Sequence, residues 1–363
     1  MGRVLILAVA DLRHMTCVNY YCDYLERRNI DFDIICTSRY AEKSRCMYNC
    51  NLYQFEWKQD KHVSKLKKVI PFIDFLRYAH GIINQKRYDF IIVWGENTLL
   101  LFSLLLSKFK NRYCFNMRDY FDAPLDFLNK WIKKYAVHAR FSTVPSPKML
   151  DKLDGTTLLL TNYDYLVEKR YRKSKEFHKQ EGPIRITYMG LIYQYEEAFK
   201  RMLDLFRNDD RFKLAFYGSG SEEILKSYAE KNDIHNAVFG GAFTPEKTSE
   251  YLEQTDIINS VYGATNYGVS DAVGVKESYA PILHIPVISD KGCFWANLSE
   301  QYGFGKGIDL NSAYVADDLF LWYTSLKKEN VDAACNNYCA STLEKNKVVE
   351  RMLDDALEST LHI

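Results

Sequence analysis

Val4-Leu5-Ile6-Leu7-Ala8 is a short, continuous apolar run near the start of the chain, and a run of this length predicts a buried strand. Residues 17–28 follow with apolar side chains at helical spacing, and residues 32–36 are apolar again. A strand, a helix and a second strand in this order predict a parallel sheet, because parallel strands need a crossover connection. The opening of the chain therefore indicates an α/β fold.

The same alternation continues to residue 160, breaks, and starts again at residue 184. In the first stretch, further strands are expected at 89–94, 112–115, 141–144 and 157–160, and helices at 63–83, 98–109, 124–139 and 147–153. In the second, strands are expected at 184–189, 212–217, 237–239, 256–260 and 286–289, and helices at 196–206, 222–231, 247–254 and 276–283. This pattern predicts two tandem Rossmann-like domains, each a doubly wound parallel sheet, with ligands in a central cleft at the carboxyl ends of the strands.

The break in the alternation sets the expected domain boundaries. Residues 168–183 are rich in Lys, Arg, Glu and Gln and end in Gly-Pro, which is typical of a linker. We expect a first domain at 1–168, a linker at 169–183, a second domain at 184–335, and a C-terminal helix at 336–363 that can cross back to the first domain.

Length and charge narrow the class of protein. A chain of 363 residues with 47% hydrophobic content can bury two cores, which excludes a disordered or fibrous protein. Its formal charge of +1 conceals a net +12 in residues 1–180 and −11 in residues 181–363. The basic half favours an anionic partner: phospholipid, phosphorylated lipid or nucleic acid. Because no run approaches the roughly 20 apolar residues of a spanning helix, any membrane contact is expected at the surface.

The nine cysteines are scattered and do not form a disulfide framework, which favours a reducing, cytoplasmic environment. Cys46 and Cys50, like Cys335 and Cys339, have three residues between them, but no histidine-rich cluster stands near either pair. Zinc ligation is therefore not expected, and we predict neither a metal nor a cofactor.

The clearest chemical signal lies between Asp271 and Asp290. Gly274 precedes a helix that opens near Lys276, and the start of a helix carries unpaired N–H groups and the positive end of the dipole. A lysine in this first turn is unfavourable for the helix itself, so an anionic ligand explains it better. The segment predicts a phosphate site, although a solvated lysine at a helix start would leave the same pattern.

At this segment the chain resembles the C-terminal half of family 4 of the GT-B glycosyltransferases, which are retaining enzymes that use nucleotide sugars. The family has an acid, a glycine three positions on, a second acid eight positions after the first, and a proline seven beyond that. Asp271, Gly274, Tyr279 and Pro286 stand at these offsets, so Tyr279 replaces the acid that binds ribose hydroxyls in the family. Lys276 is similar to the diphosphate-binding lysine of one subgroup.

Weaker resemblances extend through the second half. Residues 184–190 resemble the first strand of the family's donor domain, 217–220 its second strand and turn, and 238–243 its nucleobase loop. The resemblance implies donor-binding roles for Gly190, Gly218, Phe239, Gly241, Phe243, Gly274, Lys276 and Tyr279. The Arg and Lys that follow the first of these glycines in the family are absent here, and Arg13 is our candidate for the missing charge.

Asn116-Met117-Arg118-Asp119-Tyr120 follows a buried strand, so its side chains are expected at the carboxyl end of that strand. Family members place an Arg-Asp or His-Asp pair here, beside the reacting sugar. The resemblance implies catalytic roles for Arg118, Asp119 and Asp271, the last of which would hold hydroxyls of the donor sugar. A transfer without metal needs fixed positive charge on the departing diphosphate and an oriented acceptor hydroxyl. A pair that only braces a turn would have the same sequence.

The helix at 124–139 and its neighbours carry a basic and aromatic set: Trp131, Lys133, Lys134, His138 and Arg140, with Lys108, Lys110 and Arg112. Such a set is suited to anionic lipid head groups, and it also fits a plain solvated face.

These features favour a cytoplasmic, membrane-peripheral glycosyltransferase. It would move a sugar from a nucleoside diphosphate sugar, with UDP preferred, to a glycan or lipid-linked glycan in surface polysaccharide synthesis such as capsule or O-antigen, with retention implied by the resemblance. A nucleotide-sugar epimerase of the same shape stays open, as does an inactive sugar-binding or assembly subunit, which the missing acid and Arg/Lys pair favour. A nucleic-acid binder is least favoured, because the basic residues belong to no known module.

Overall fold

The computed structural model of the chain describes residues 2–15, 17–39, 43–57, 69–118, 126–161, 176–192, 195–244, 247–263 and 273–361. The chain divides into two compact units. The first domain comprises residues 1–161 and 344–363, and the second domain comprises residues 162–343.

Within the described residues, the first domain is built on a sheet of seven parallel strands in the order β3-β2-β1-β4-β5-β6-β7. The strands are β1 Arg3–Asp11, β2 Asp31–Ser38, β3 Asn51–Glu56, β4 Phe90–Trp94, β5 Tyr113–Asn116, β6 Phe141–Val144 and β7 Thr157–Leu159. The helices are α1 Val18–Arg27, α2 Ile70–Lys86, α3 Glu96–Leu101, α4 Ser103–Leu106 and α5 Asp126–His138. The central strands β1 and β4 are almost wholly buried, which explains their continuous apolar sequence.

The second domain has a sheet of six parallel strands among its described residues, in the order β10-β9-β8-β11-β12-β13. The strands are β8 Ile184–Leu191, β9 Phe212–Ser219, β10 Ala237–Gly241, β11 Ile257–Ser260, β12 Val287–Asp290 and β13 Gly305–Ile308. The helices are α6 Glu196–Leu205, α7 Glu222–Lys231, α8 Thr248–Glu253, α9 Val275–Leu283, α10 Phe294–Tyr302, α11 Val315–Ser325 and α12 Lys328–Leu361. Sheet and helices share one apolar core.

Helix α12 supplies residues to both domains, because the division falls between Leu343 and Glu344. Its C-terminal part packs on α1 of the first domain. The Tyr20 hydroxyl donates to the Asn346 carbonyl oxygen at 2.6 Å, and the Tyr24 hydroxyl donates to Asp354 Oδ1 at 2.7 Å. These contacts fix the end of the chain against the first helix.

The predicted fold class is confirmed: both halves are doubly wound parallel sheets. Some elements differ from prediction. The helix expected at 98–109 is two short helices, α3 and α4, followed by a 3-10 turn at Ser107–Phe109. Strands β3 and β13 and helix α10 were not predicted. Phe177, which falls in the predicted linker, is buried in the core of the second domain. The rest of that linker up to residue 175 lies outside the described residues.

Candidate functional site

Lys276 is the second residue of α9, at the carboxyl edge of the second sheet. Its ammonium nitrogen lies 3.4 Å from the centroid of the Tyr188 ring and 4.4 Å from that of Tyr262. Tyr188 belongs to β8, and Tyr262 follows β11. The electron-rich ring faces attract the cation, while burial lowers the pKa of Lys276 to about 7 against the opposing effect of Glu277. The residue keeps part of its surface exposed.

Helix α9 begins without a side-chain cap. Gly274 is the N-cap residue, and it has no side chain that could accept from the N–H groups of the first turn. A Cβ atom on Gly274 would lie 2.2 Å from Glu277 Oε2, so a glycine is needed for this buried carboxylate to fold back. The helix start therefore offers backbone donors beside a lysine, which is an arrangement suited to an anion.

Glu277 is only 4% exposed and fixes the position of Tyr262. Its Oε1 accepts from the Ser260 hydroxyl and, at 2.9 Å, from the Tyr262 hydroxyl. Its Oε2 is buried and has no hydrogen-bond partner among the described residues. The carboxylate thus holds one of the two rings on which the Lys276 ammonium rests.

Asp290, at the end of β12, holds the backbone on the other side of Tyr262. Its Oδ2 accepts from the Tyr262 N–H at 2.7 Å and its Oδ1 from the Gly263 N–H at 3.1 Å. Burial raises the pKa of this carboxyl group, and the two backbone hydrogen bonds oppose that effect. Main chain and side chain of Tyr262 are therefore both fixed.

Gly190 and Gly218 face each other where β8 and β9 end. A Cβ atom on Gly218 would lie 1.7 Å from the Gly190 carbonyl oxygen, which no side-chain adjustment can relieve. Gly190 has φ +140°, a value that favours glycine. The two strand ends approach closely two residues beyond Tyr188, next to the ring that supports Lys276.

The residues predicted for a nucleobase loop lie at the neighbouring strand ends. Phe239 stacks on Phe216 at 5.7 Å and contributes to the core. Phe243 meets Tyr251 edge-on at 5.2 Å, and Tyr251 stacks on Tyr217 at 3.7 Å. Gly241 has φ +66° with open space at its Cβ position. Nucleobase binding by these residues stays a prediction.

The other second-domain assignments have different outcomes. Tyr279 lies one turn further along α9, partly buried and packed against the core. Asp271 lies outside the described residues, so its predicted role remains a hypothesis. The structure brings Lys276 and Gly274 together at one helix start, and Gly190 and Gly218 together at adjacent strand ends.

Arg13, the predicted compensating cation, lies in a 3-10 turn directly after β1. Its Nε donates to the Ser44 hydroxyl at 3.0 Å and lies 3.7 Å from Asp11 Oδ1. Asp11 is buried and also accepts from the Arg39 N–H at 3.0 Å. The guanidinium is thus held by its own domain through an acid and a hydroxyl.

Arg118 follows β5, as the sequence predicted. Its guanidinium carbon lies 5.8 Å from the centroid of the Trp94 ring, and its Nη2 lies 3.3 Å from Cys17 Sγ. The side chain therefore lies at the carboxyl edge of the first sheet, near the start of α1. Asp119 lies outside the described residues, and the Arg-Asp pair stays a prediction.

Sequence reasoning missed Tyr188, Tyr262, Glu277 and Asp290. One signal for Glu277 was present: it stands three residues after the N-cap glycine, at the position of the acid in a capping box. Among the described residues, no group of three or more His, Cys, Asp or Glu side chains is arranged to hold a metal ion. In the same part of the chain, no helix is long and apolar enough to cross a membrane.

No protein-family model and no curated protein matches the sequence of this chain. Solved structures do match. Sucrose-phosphate synthase from Thermosynechococcus elongatus is 11% identical over 98% of this chain and 100% of its own, with a TM-score of 0.74. HepE of Anabaena in complex with UDP is 10% identical with the same coverage and a TM-score of 0.69.

The chain has the GT-B fold. The fold is shared by a putative UDP-N-acetylglucosamine 2-epimerase from Listeria monocytogenes, which is 10% identical over 93% of this chain and 95% of its own, with a TM-score of 0.58. GT-B architecture at this level of identity establishes the fold, and the chemistry has to be argued from the site.

Proposed function

We propose that the protein is a GT-B glycosyltransferase whose second domain binds the diphosphate of a nucleotide sugar at the start of α9. The observation that carries the proposal is the Lys276 ammonium, supported by two tyrosine rings beside an uncapped helix N-terminus. Holding this partly buried lysine as a cation costs stability, as its lowered pKa indicates, and an anionic ligand accounts for that cost. The HepE structure is a complex with UDP, which supports UDP as the nucleotide in this proposal.

In the proposed transfer, Lys276 and the first-turn N–H groups stabilise the charge that develops on the departing diphosphate. Arg118 and Asp119 remain the candidates for orienting the acceptor, and Asp271 for holding the donor sugar. Retention of anomeric configuration, independence of metal and a role in surface polysaccharide synthesis follow only from the family resemblance and stay predictions.

The function is tested by incubating the full chain with UDP-, GDP- and CMP-sugars and measuring released nucleotide and sugar. We expect UDP-sugars to be hydrolysed slowly, with UDP and free sugar as products. CMP-sugars are the matched control, because they carry one phosphate and cannot span a diphosphate site. Conversion of a UDP-sugar to its epimer would favour the epimerase. Binding of UDP without any turnover would favour an inactive subunit. No binding of any diphosphate nucleotide would contradict the proposal.

We also propose that α5 contacts an anionic membrane surface. Its exposed side combines Phe127 at 55% exposure, Trp131 at 39% and Val137 at 51% with the neighbouring exposed lysines Lys130 and Lys134. Apolar side chains inserted between basic ones are typical of helices that lie at a lipid interface.

Reversing the charge at Lys130 and Lys134 together should lower binding to phosphatidylglycerol vesicles by about 30-fold or more, since each lysine contributes about 1 kcal/mol near such a surface and the reversed charges add repulsion. Co-sedimentation with the vesicles measures the bound fraction of each protein. Leu321→Ser, at a site 66% exposed in the second domain, is the control and should bind as wild type. Equal binding to phosphatidylcholine vesicles would exclude an electrostatic lipid surface.

A further inference from the structure

Cys46 and Cys50 lie on the loop between β2 and β3, and their sulfur atoms are 3.5 Å apart. Both side chains are partly exposed, whereas Cys17, Cys22, Cys36, Cys114 and Cys335 are buried. The two sulfurs are therefore in van der Waals contact and within reach of a small reagent. A disulfide needs a separation of about 2.05 Å, so closure requires the two sulfurs to approach each other by about 1.5 Å.

The loop that carries the two thiols is fixed on both sides. The Tyr48 hydroxyl, between the two cysteines, donates to Asp23 Oδ1 of α1 at 2.9 Å, and the Asn49 N–H donates to Glu26 Oε1 at 3.0 Å. Before the pair, Ser44 exchanges two hydrogen bonds with Gln54 of β3, at 3.0 and 2.7 Å. These contacts hold the thiols together before any reaction, which lowers the entropy cost of joining them.

The two thiols are not equivalent. The hydrogen bond between them lowers the pKa of Cys46 to about 7 and raises that of Cys50. A backbone hydrogen bond from Tyr48 also lowers the pKa of Cys46, which favours Cys46 as the thiolate, the nucleophilic form of the thiol.

We propose that Cys46 and Cys50 form a reversible oxidation site that closes to an intramolecular disulfide with a low-molecular-weight disulfide as oxidant. The Cys46 thiolate attacks one sulfur of glutathione disulfide, the bond between the two glutathione sulfurs breaks, and glutathione leaves as a thiolate. Cys50 loses its proton to water and attacks the Cys46 sulfur, which expels the second glutathione. The protein loses two electrons and two protons, and one glutathione disulfide becomes two thiols.

The sequence makes the product easy to identify. Trypsin cleavage after Arg45 and Lys58 places both thiols on one peptide, residues 46–58. The native full chain is treated with glutathione disulfide, remaining thiols are alkylated, and the digest is analysed by mass spectrometry. We expect this peptide to be unalkylated and about 2 Da lighter than the dithiol, and to regain both thiols after treatment with dithiothreitol.

Two variants test the assigned pair. Cys50→Ser should keep one glutathione on Cys46, because the resolving thiol is gone, and neither Cys50→Ser nor Cys46→Ser should form the intramolecular disulfide. Cys293→Ser is the control, since Cys293 is a partly exposed cysteine on another domain, and it should oxidise as wild type. Thermal unfolding verifies that each variant is folded. Persistent glutathione on wild-type Cys46, a bond from Cys46 to Cys22, or full alkylation of peptide 46–58 would each overturn the proposal.

Discussion

Replacing Lys276 by methionine should weaken UDP binding by about ten-fold or more, because a charge-assisted contact to a phosphate contributes roughly 1.5–3 kcal/mol. The same change should raise the melting temperature of the second domain. Methionine retains the apolar length that packs on Tyr188 and Tyr262 but removes a cation whose burial lowers its pKa to about 7. A lysine kept for ligand binding should lose UDP affinity and gain stability when it is replaced, whereas replacing a structural lysine should lower stability.

The stability gain has a defined pH dependence. In the unfolded chain a lysine titrates near pH 10.4, so between about pH 7 and 10 the unfolded state holds a proton that the folded state lacks. Stability of the wild type therefore rises with pH across this window. The advantage of Lys276→Met should be largest below pH 7 and should shrink toward pH 10.

Calorimetry of UDP binding and scanning calorimetry at pH 6, 7.5 and 9 measure both effects. The matched control is Lys226→Met, at an exposed lysine of α7, which should change neither affinity nor melting temperature by much. A Lys276→Met protein that binds UDP as wild type would remove this residue from the site. A lower melting temperature would show that the ammonium is structurally required.

Gly218→Ala should destabilise the second domain by about 3 kcal/mol, at the upper end for overpacking. The added Cβ would lie 1.7 Å from the Gly190 carbonyl oxygen, so two strand backbones must separate. The pair β8 and β9 is central to the sheet and adjoins the ring of Tyr188. The affinity for UDP should fall as well, because the Tyr188 ring that contacts the Lys276 ammonium would shift with β8.

Urea unfolding followed by circular dichroism measures the loss, and the control is Gly81→Ala. Gly81 lies inside α2 with nothing within 4 Å of its Cβ position, so alanine there should stabilise by roughly 0.5–1 kcal/mol. A Gly218→Ala protein with the stability and UDP affinity of the wild type would contradict the close approach of the two strand ends.

The fold was predictable where burial is complete. All five residues of β4 are buried, so its sequence from Phe90 to Trp94 is a continuous apolar run. Strand β3 lies at the edge of its sheet with partly exposed side chains, and a polar residue, Gln54, interrupts it. Strand β13 begins at Gly305, where a Cβ atom would collide with Ser299 of α10. A strand that requires glycine for packing carries no apolar pattern to detect.

The site was predictable only in part, for a similar reason. Gly274 and Lys276 are neighbours along the chain, so their place at a helix start follows from local sequence. The rings under the ammonium come from β8 and from the loop after β11, and only the strand order brings them together. Three-dimensional proximity of this kind leaves no spacing in a single sequence.

The central claim is that Lys276 receives the diphosphate as a cation. It is tested most directly by titrating the wild-type protein and Lys276→Met with UDP at pH 7.5, in two buffers of different ionisation enthalpy. Since a bound anion raises the pKa of this lysine from about 7, binding to the wild type should take up protons, and the variant should lack that uptake. Binding with the same buffer dependence in both proteins, or no binding of UDP to the wild type, would contradict the account.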